Sequence, residues 1–210
     1  VNDGGVGFIG LGAMGSLMSA NLVAAGHDLS VYDAAGTVGR APSGSHAAES
    51  SWEVAGMVET VLFSLPDGDV VNDVLEEILT APDRKTDTIV DLSTIGVAAA
   101  EAAARKAATG GIDYLDAPVS GGVSGAKAAS LSLMASGPRV LFDRLEPILK
   151  AMAAKCFYVG DRQGQGQAMK LTNNILAATA TAATSEAVLF GLSHDLTMEM
   201  ILNILNVSTG

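Results

Sequence analysis

Lys170 is followed four residues later by Asn174, a spacing that puts both on one face of a helix, one turn apart. An ammonium and an amide pointing the same way can hold one substrate oxygen between them while the lysine gives or takes a proton. An isolated Lys/Asn pair is more often a surface lysine beside a capping amide, so the surrounding elements must decide. A second run with chemistry in it opens the chain: Gly10-Leu11-Gly12-Ala13-Met14-Gly15, directly after the apolar Val6-Gly7-Phe8-Ile9. After a strand and before a helix, such a loop binds a dinucleotide. Gly10 permits the tight turn, Gly12 lets the backbone approach the pyrophosphate and Gly15 packs helix on strand, while the helix N-terminus attracts the phosphates. Asp33, 18 residues past Gly15, is placed to bind a ribose diol and would repel a 2′-phosphate, which favours NAD over NADP. Arg40 could compensate for such a phosphate but reads as a solvated arginine.

The elements that must position these groups alternate. Strands are expected at residues 6–9, 29–33, 60–65, 88–92, 112–116, 131–135 and 157–159, and helices at 13–26, 67–79, 97–108 and 140–153. Residues 34–45 and 117–125 read as loops. This is an α/β pattern: a Rossmann-type, mostly parallel sheet with helices on both faces. From Gly166 the pattern turns helical, with one long helix at 167–191 and another at 196–207. We expect a dinucleotide-binding domain over residues 1–163 and the start of an all-α domain over 164–210. The two late helices carry more apolar surface than they can bury against each other, so further chain or a partner subunit is expected to cover them.

Three strand ends run into small or polar turns: Ser64-Leu65-Pro66-Asp67, Asp91-Leu92-Ser93-Thr94 and Asp116-Ala117-Pro118-Val119-Ser120-Gly121-Gly122. Ligands of open parallel sheets bind outside the carboxyl ends of the strands, so these turns should line one crevice with the glycine loop. Ser120 with the amides of Gly121 and Gly122 would make a small nest for a carboxylate.

Composition narrows the class. Of the 210 residues 49% are hydrophobic and 17% charged, with 24 glycines, which suits close helix-on-sheet packing. The net charge of −11, from 12 basic and 23 acidic residues, disfavours nucleic acid and anionic lipid as partners. No basic-then-apolar signal opens the chain, and no unbroken apolar run approaches the ~20 residues of a membrane span. The single cysteine, Cys156, reads as core and points to a reducing cytoplasm. No cluster of metal-ligand type stands out, so no metal is expected.

Taken together, the Gly-Leu-Gly-Ala-Met-Gly, Asp-Leu-Ser-Thr, Asp-Ala-Pro-Val-Ser-Gly-Gly and Gly-x-Gly-x-x-x-Lys-x-x-x-Asn motifs resemble the β-hydroxyacid dehydrogenase family, to which 3-hydroxyisobutyrate and 6-phosphogluconate dehydrogenases belong. The resemblance covers Val6 to Asn174 and continues more loosely to Asn206-Val207-Ser208-Thr209-Gly210. It implies that Gly10, Leu11, Gly12, Ala13, Met14, Gly15, Asp33, Leu65, Pro66 and Thr94 contact the dinucleotide. Ser120, Gly121 and Gly122 would hold the substrate carboxylate, Lys170 would be the acid/base, and Asn174 would orient the substrate. It further implies a small hydroxy acid or semialdehyde as substrate and a homodimer or homotetramer through the helical domain. Where the family commonly has glycine after the Ser-Gly-Gly loop, this chain has Ala129, which would alter packing near the substrate. Two other readings remain: a non-catalytic dinucleotide-binding scaffold of the same superfamily, and an imine reductase. Both commonly lack the lysine that this chain keeps.

Overall fold

The computed structural model describes residues 5–208. Strand β1 (Val6–Ile9) enters helix α1 (Gly15–Ala24), and β2 (Leu29–Tyr32) follows. Next come β3 (His46–Ala47), α2 (Ser51–Met57), β4 (Thr60–Phe63), α3 (Gly68–Thr80), β5 (Thr88–Asp91) and α4 (Val97–Thr109). The sheet continues with β6 (Asp113–Asp116), β7 (Val119–Ser120), α5 (Gly122–Lys127), β8 (Leu131–Ser136), α6 (Arg139–Leu149) and β9 (Ala153–Gly160). Helices α7 (Gln165–Leu192) and α8 (Met198–Leu205) complete the described chain.

The strand order is β3-β2-β1-β4-β5-β6-β8-β7, with β9 also pairing β8. Strands β1 to β6 are parallel throughout, while β8 runs antiparallel to β6 and β7 and parallel to β9. The mostly parallel Rossmann-type sheet is therefore present, and the strand order reverses at β1, between β2 and β4. Short apolar strands alternate their side chains between two cores. Leu62 and Val90 pack with Phe8, Met18 and Leu22 on one face. Val61, Phe63 and Ile89 pack with Val54, Leu75 and Ile78 on the other.

Several elements differ from expectation. Helix α2 lies in a stretch that carries no strong helical period; Ser50 caps it, its side chain accepting from the Glu53 amide at 3.1 Å, and Ser50-x-x-Glu53 is the cue. The stretch 117–125 is not a loop throughout, because β7 and α5 occupy part of it. The helix expected to reach residue 153 ends at Leu149, since β8 recruits residues 153–160 into a parallel ladder and overrides the helical propensity of the alanines. Cys156 is half-buried against the first core, and burial pushes its thiol up.

The chain forms two compact units, Val1–Lys170 and Leu171–Gly210, and α7 runs through the division. In the second unit α7 and α8 approach closely at Gly191, where a Cβ would come within 2.7 Å of Ile201. Thr197 caps α8 by accepting from the Met200 amide at 3.2 Å. Ile175, Leu176, Leu189, Phe190, Met200 and Ile204 are exposed. Among the described residues α7 is the one helix long and apolar enough, by length and composition, to cross a membrane, with a mean hydropathy of 1.5. Alanines spread that hydropathy without the unbroken run sought in the sequence, and the first turn of α7 belongs to the sheet unit. Of the segment 206–210, Thr209 and Gly210 lie outside the described residues.

Ala129 has φ +51°, the left-handed region where a Cβ costs about 1–2 kcal/mol. Glycine would relieve that strain while adding about 0.4–1 kcal/mol of unfolded-state entropy to be lost on folding. Ala129→Gly should therefore be stabilising by up to about 1 kcal/mol, raising the melting temperature by about 2–4 °C. A calorimetric decrease would show that Ala129 is held there without strain.

Candidate active site

The glycine loop divides its labour. Gly10 has φ +97°, and a Cβ on it would collide with the Ser64 carbonyl. A Cβ on Gly15 would collide with the Gly10 carbonyl and press on Phe8. Both glycines thus serve the close passage of β1 into α1. Gly12 differs, because a Cβ there would meet nothing within 4 Å. Its open side faces a cavity of about 390 Å³ lined by Leu11, Gly12, Ala13, Ser16, Gly39 and Arg40. The residues present therefore fit a dinucleotide pyrophosphate beside a bare backbone at a helix N-terminus. Met14 packs partly against the core, so it buttresses the loop. A larger cavity of about 470 Å³ lies beside α4, β6 and Gln163, away from the glycine loop, and contains none of the expected site residues.

Asp33 sits just past β2 and is locked to the loop. Its Oδ2 accepts from the Leu11 amide at 2.6 Å, and its Oδ1 accepts from the Ala35 amide at 2.9 Å. Arg40 Nη1 lies 3.5 Å from Oδ1. Arg40 is thus exposed, as its loop context suggested, and is in addition a wall of the cavity paired with Asp33.

The strand-end turns are laced to one another. The Leu65 amide donates to Ser93 Oγ at 2.9 Å, and the Ser93 amide donates to Asp91 Oδ1 at 2.9 Å. Pro66 and Thr94 are exposed beside them. Ser120 ends β7 half-buried, while Gly121 and Gly122, with φ +132° and +63°, are exposed and start α5. Asn21 Nδ2 donates to the Ala126 carbonyl at 2.7 Å, which ties α5, and with it the Ser-Gly-Gly turn, to the helix that follows the glycine loop.

Sequence reasoning passed over the residues beneath this surface. Asp91 and Asp116 end β5 and β6 and are fully buried. Tyr114 Oη donates to Asp91 Oδ2 at 2.7 Å. Asp116 accepts from Ser136 Oγ at 3.0 Å and from the Gln167 amide at 3.1 Å through Oδ2, and from Gln167 Nε2 at 2.6 Å through Oδ1. Burial pushes the Asp116 carboxyl up to about 6, against the lowering effect of the Gln167 and Ser136 bonds. Burial likewise raises Asp91. The available cue was an acid closing an otherwise apolar strand, as in Val90-Asp91 and Leu115-Asp116.

Lys170 lies three residues beyond Gln167 in the opening turns of α7 and is half-buried. Desolvation lowers its ammonium below the ordinary lysine value, the direction required of a proton-transfer group near neutrality. Asn174 lies four residues further along α7 and is exposed. No group of three or more His, Cys, Asp or Glu side chains suited to a metal occurs among the described residues.

Residues 5–160 match the family model described as the NAD binding domain of 6-phosphogluconate dehydrogenase. Residues 164–210 match that of the NAD-binding region of NADP-dependent 3-hydroxyisobutyrate dehydrogenase. The chain belongs to the β-hydroxyacid dehydrogenase family. It is 36% identical over 209 residues to 3-hydroxyisobutyrate dehydrogenase of Pseudomonas aeruginosa, covering 98% of this chain and 70% of that protein. A solved Mycobacterium tuberculosis 3-hydroxyisobutyrate dehydrogenase with L-serine superposes with a TM-score of 0.86 at 35% identity, covering 98% of this chain and 70% of that one. An imine reductase from Myxococcus stipitatus has a TM-score of 0.88 at 20% identity, over 98% of this chain and 72% of its own, a likeness of fold alone. The chain is accordingly a member of a family of NAD(P)-binding oxidoreductases.

The glycines give a test that separates fold from binding. Gly12→Ala should leave the melting temperature within about 2 °C of the parent, because no atom opposes the new methyl, yet weaken NADH binding at least about tenfold by intruding on the pyrophosphate. Gly15→Ala should instead destabilise by about 1–3 kcal/mol. Equal NADH affinity in Gly12→Ala and the parent, by fluorescence titration, would remove Gly12 from the cofactor site.

Proposed function

We propose that this site interconverts a small β-hydroxy acid and its semialdehyde, with NAD preferred over NADP and Lys170 as the acid/base. NAD(P)-dependent oxidoreduction of hydroxy acids is the chemistry of the family to which the chain belongs. The observation that carries the assignment of Lys170 is its place, half-buried, on the α7 turn that is bonded to the strand-end loops. When bound, the nicotinamide supplies or accepts the hydride. Lys170 Nζ takes the hydroxyl proton during oxidation and returns it during reduction. The Ser120-Gly121-Gly122 turn holds the substrate carboxylate, and Asn174, one helical turn from Lys170, orients the hydroxyl oxygen. Gly10 to Gly15, Asp33, Leu65, Pro66 and Thr94 form the dinucleotide side.

Asp33 supports NAD, since a carboxylate just past the second strand suits a ribose diol and would repel a 2′-phosphate. Arg40, paired with it, is the group that would offset this repulsion. The visible substrate turn carries few basic residues, with Lys127 exposed, which favours a small acid such as 3-hydroxyisobutyrate over a sugar phosphate. The two family matches meet near residue 163, in support of a dinucleotide domain over 1–163 and a helical region from 164 onward. Exposed apolar side chains on that region support a homodimer or homotetramer, and the single cysteine supports a reducing cytoplasm.

Lys170→Ala should abolish turnover in a panel of 3-hydroxy acids while NADH affinity changes less than about threefold, since a proton-transfer group contributes to the chemical step. Turnover near the parent level would remove the lysine from the mechanism, and silence of the parent across the panel with NADH still bound would favour the scaffold reading. Because neutral Lys170 is the competent form for oxidation, the oxidative rate should rise with pH through an apparent pKa below the ordinary 10.5 of lysine. Reduction needs the ammonium and should fall through the same range. For cofactor choice, Asp33→Asn should raise the NADP-to-NAD ratio of kcat/KM by at least about tenfold, given the ~1.4 kcal/mol per decade. An unchanged ratio would take Asp33 out of the discrimination.

A further inference from the structure

Gln167 is fully buried, and every hydrogen-bonding position of its side chain is used. Oε1 accepts from the Ile95 amide at 2.9 Å and the Gly96 amide at 3.1 Å. Nε2 donates to the Ser93 carbonyl at 3.0 Å and to Asp116 Oδ1 at 2.6 Å. Its own amide donates to Asp116 Oδ2 at 3.1 Å. One residue earlier, the Gly166 amide donates to Ser136 Oγ at 2.8 Å. A Cβ at Gly166 would collide with the Met134 carbonyl and press on Asp116. The first turn of α7 is thus pressed onto the ends of β6 and β8 by a glycine. Its opening amides end on Ser136 and Asp116, where the helix dipole favours a carboxylate.

The bonds from Gln167 to the loop 93–96 join segments more than 70 residues apart in sequence. One end of the clamp is that loop, which carries Thr94 on the cofactor side. The other is the turn that carries Lys170. We propose that Gln167 is a positioning residue, clamped on Asp116, that sets the Lys170 turn relative to the loop 93–96 so that cofactor seated on that loop also orders the lysine's turn. This rests on the assignment of Lys170 and Thr94 made above. A cap serving stability alone would need only the bonds to Asp116. The additional three bonds to the loop 93–96 connect nothing that α7 requires for its own helical structure. They fix a distance between two parts of the site.

The test uses Gln167→Met, similar in length but unable to make the four bonds, and Gln167→Glu, alone and with Asp116→Asn. Gln167→Glu by itself sets two carboxylates against each other. Adding Asp116→Asn turns one of them into an amide that can donate to the other, so a hydrogen bond between the two positions is restored with its direction reversed. Hydrogen exchange measured by mass spectrometry, with and without NADH, reads the coupling without requiring turnover. In the parent, NADH should slow exchange in both 93–97 and 164–170. In Gln167→Met the first segment and the glycine loop should still respond, while 164–170 should lose its response. The panel assay should give at least a tenfold lower kcat for Gln167→Met and Gln167→Glu with KM changed less than threefold. The added Asp116→Asn should recover part of the loss in the latter, since a carboxylate at 167 regains its bond to position 116 but still cannot donate to the Ser93 carbonyl. If Gln167→Met fails to fold, Gln167→Glu with and without Asp116→Asn carries the same comparison. Equal NADH protection of 164–170 in parent and variants, or no protection there in the parent, would overturn the clamp. A parent that binds NADH and shows the coupled protection but turns over nothing would sink the proposed reaction and leave the clamp standing. A parent that does not bind NADH would overturn both.

Discussion

Where parallel strands stop, their loops lose the ladder that satisfied the backbone, and those loops form the site in a fold of this kind. In this protein the exposed turns rest on a buried polar layer. Asp91, Tyr114, Asp116, Ser136 and Gln167 satisfy strand-end and helix-start groups that water would otherwise have to reach. Two buried carboxylates with no cation paired to them among the described residues are costly. They are tolerated because neutral donors from loops and from the first turn of α7 converge on them. The loop 93–96 and the start of α7 are tied together through it.

The glycine loop obeys a different constraint, steric and not polar. Gly10 and Gly15 are required by backbone and side-chain atoms that already exist in the fold, whereas Gly12 borders open space. The same motif therefore contains two glycines that the fold itself requires and one that no protein atom requires. Asp33 adds a polar tie of its own to this steric device, since its carboxylate bonds the Leu11 amide and fixes the loop against the end of β2. Arg40, which lines the cavity, then shares that carboxylate, so the charge beside the cavity is set by a pair.

Much of the arrangement was legible in the sequence. The glycine spacing, the apolar runs of four residues and the helical period of the intervening segments pointed to the Rossmann-type order and the crevice side of the sheet. The Ser-Gly-Gly turn and the Lys170/Asn174 spacing could be recognised because each is local, with its chemistry contained in a few consecutive residues. Less legible were elements decided by partners distant in sequence. Ala153 reads as the last residue of a helix, yet it opens β9 because β8 offers it a ladder. Arg40 pairs with Asp33 only seven residues away, but the loop between them has no period that would announce the contact.

By itself the sequence determined the fold class, the dinucleotide loop and the residue types able to move a proton, since periodicity and glycine spacing are properties of adjacent positions. The tertiary structure alone decided which polar residues are buried and what each one joins. Gln167 is an inconspicuous amide in the sequence between Gly166 and Ala168. Only the folded chain brings Ser93, Ile95, Gly96 and Asp116 around it. A buried hydrogen-bond network is defined by groups that meet in space, and no local pattern of residue types records that meeting.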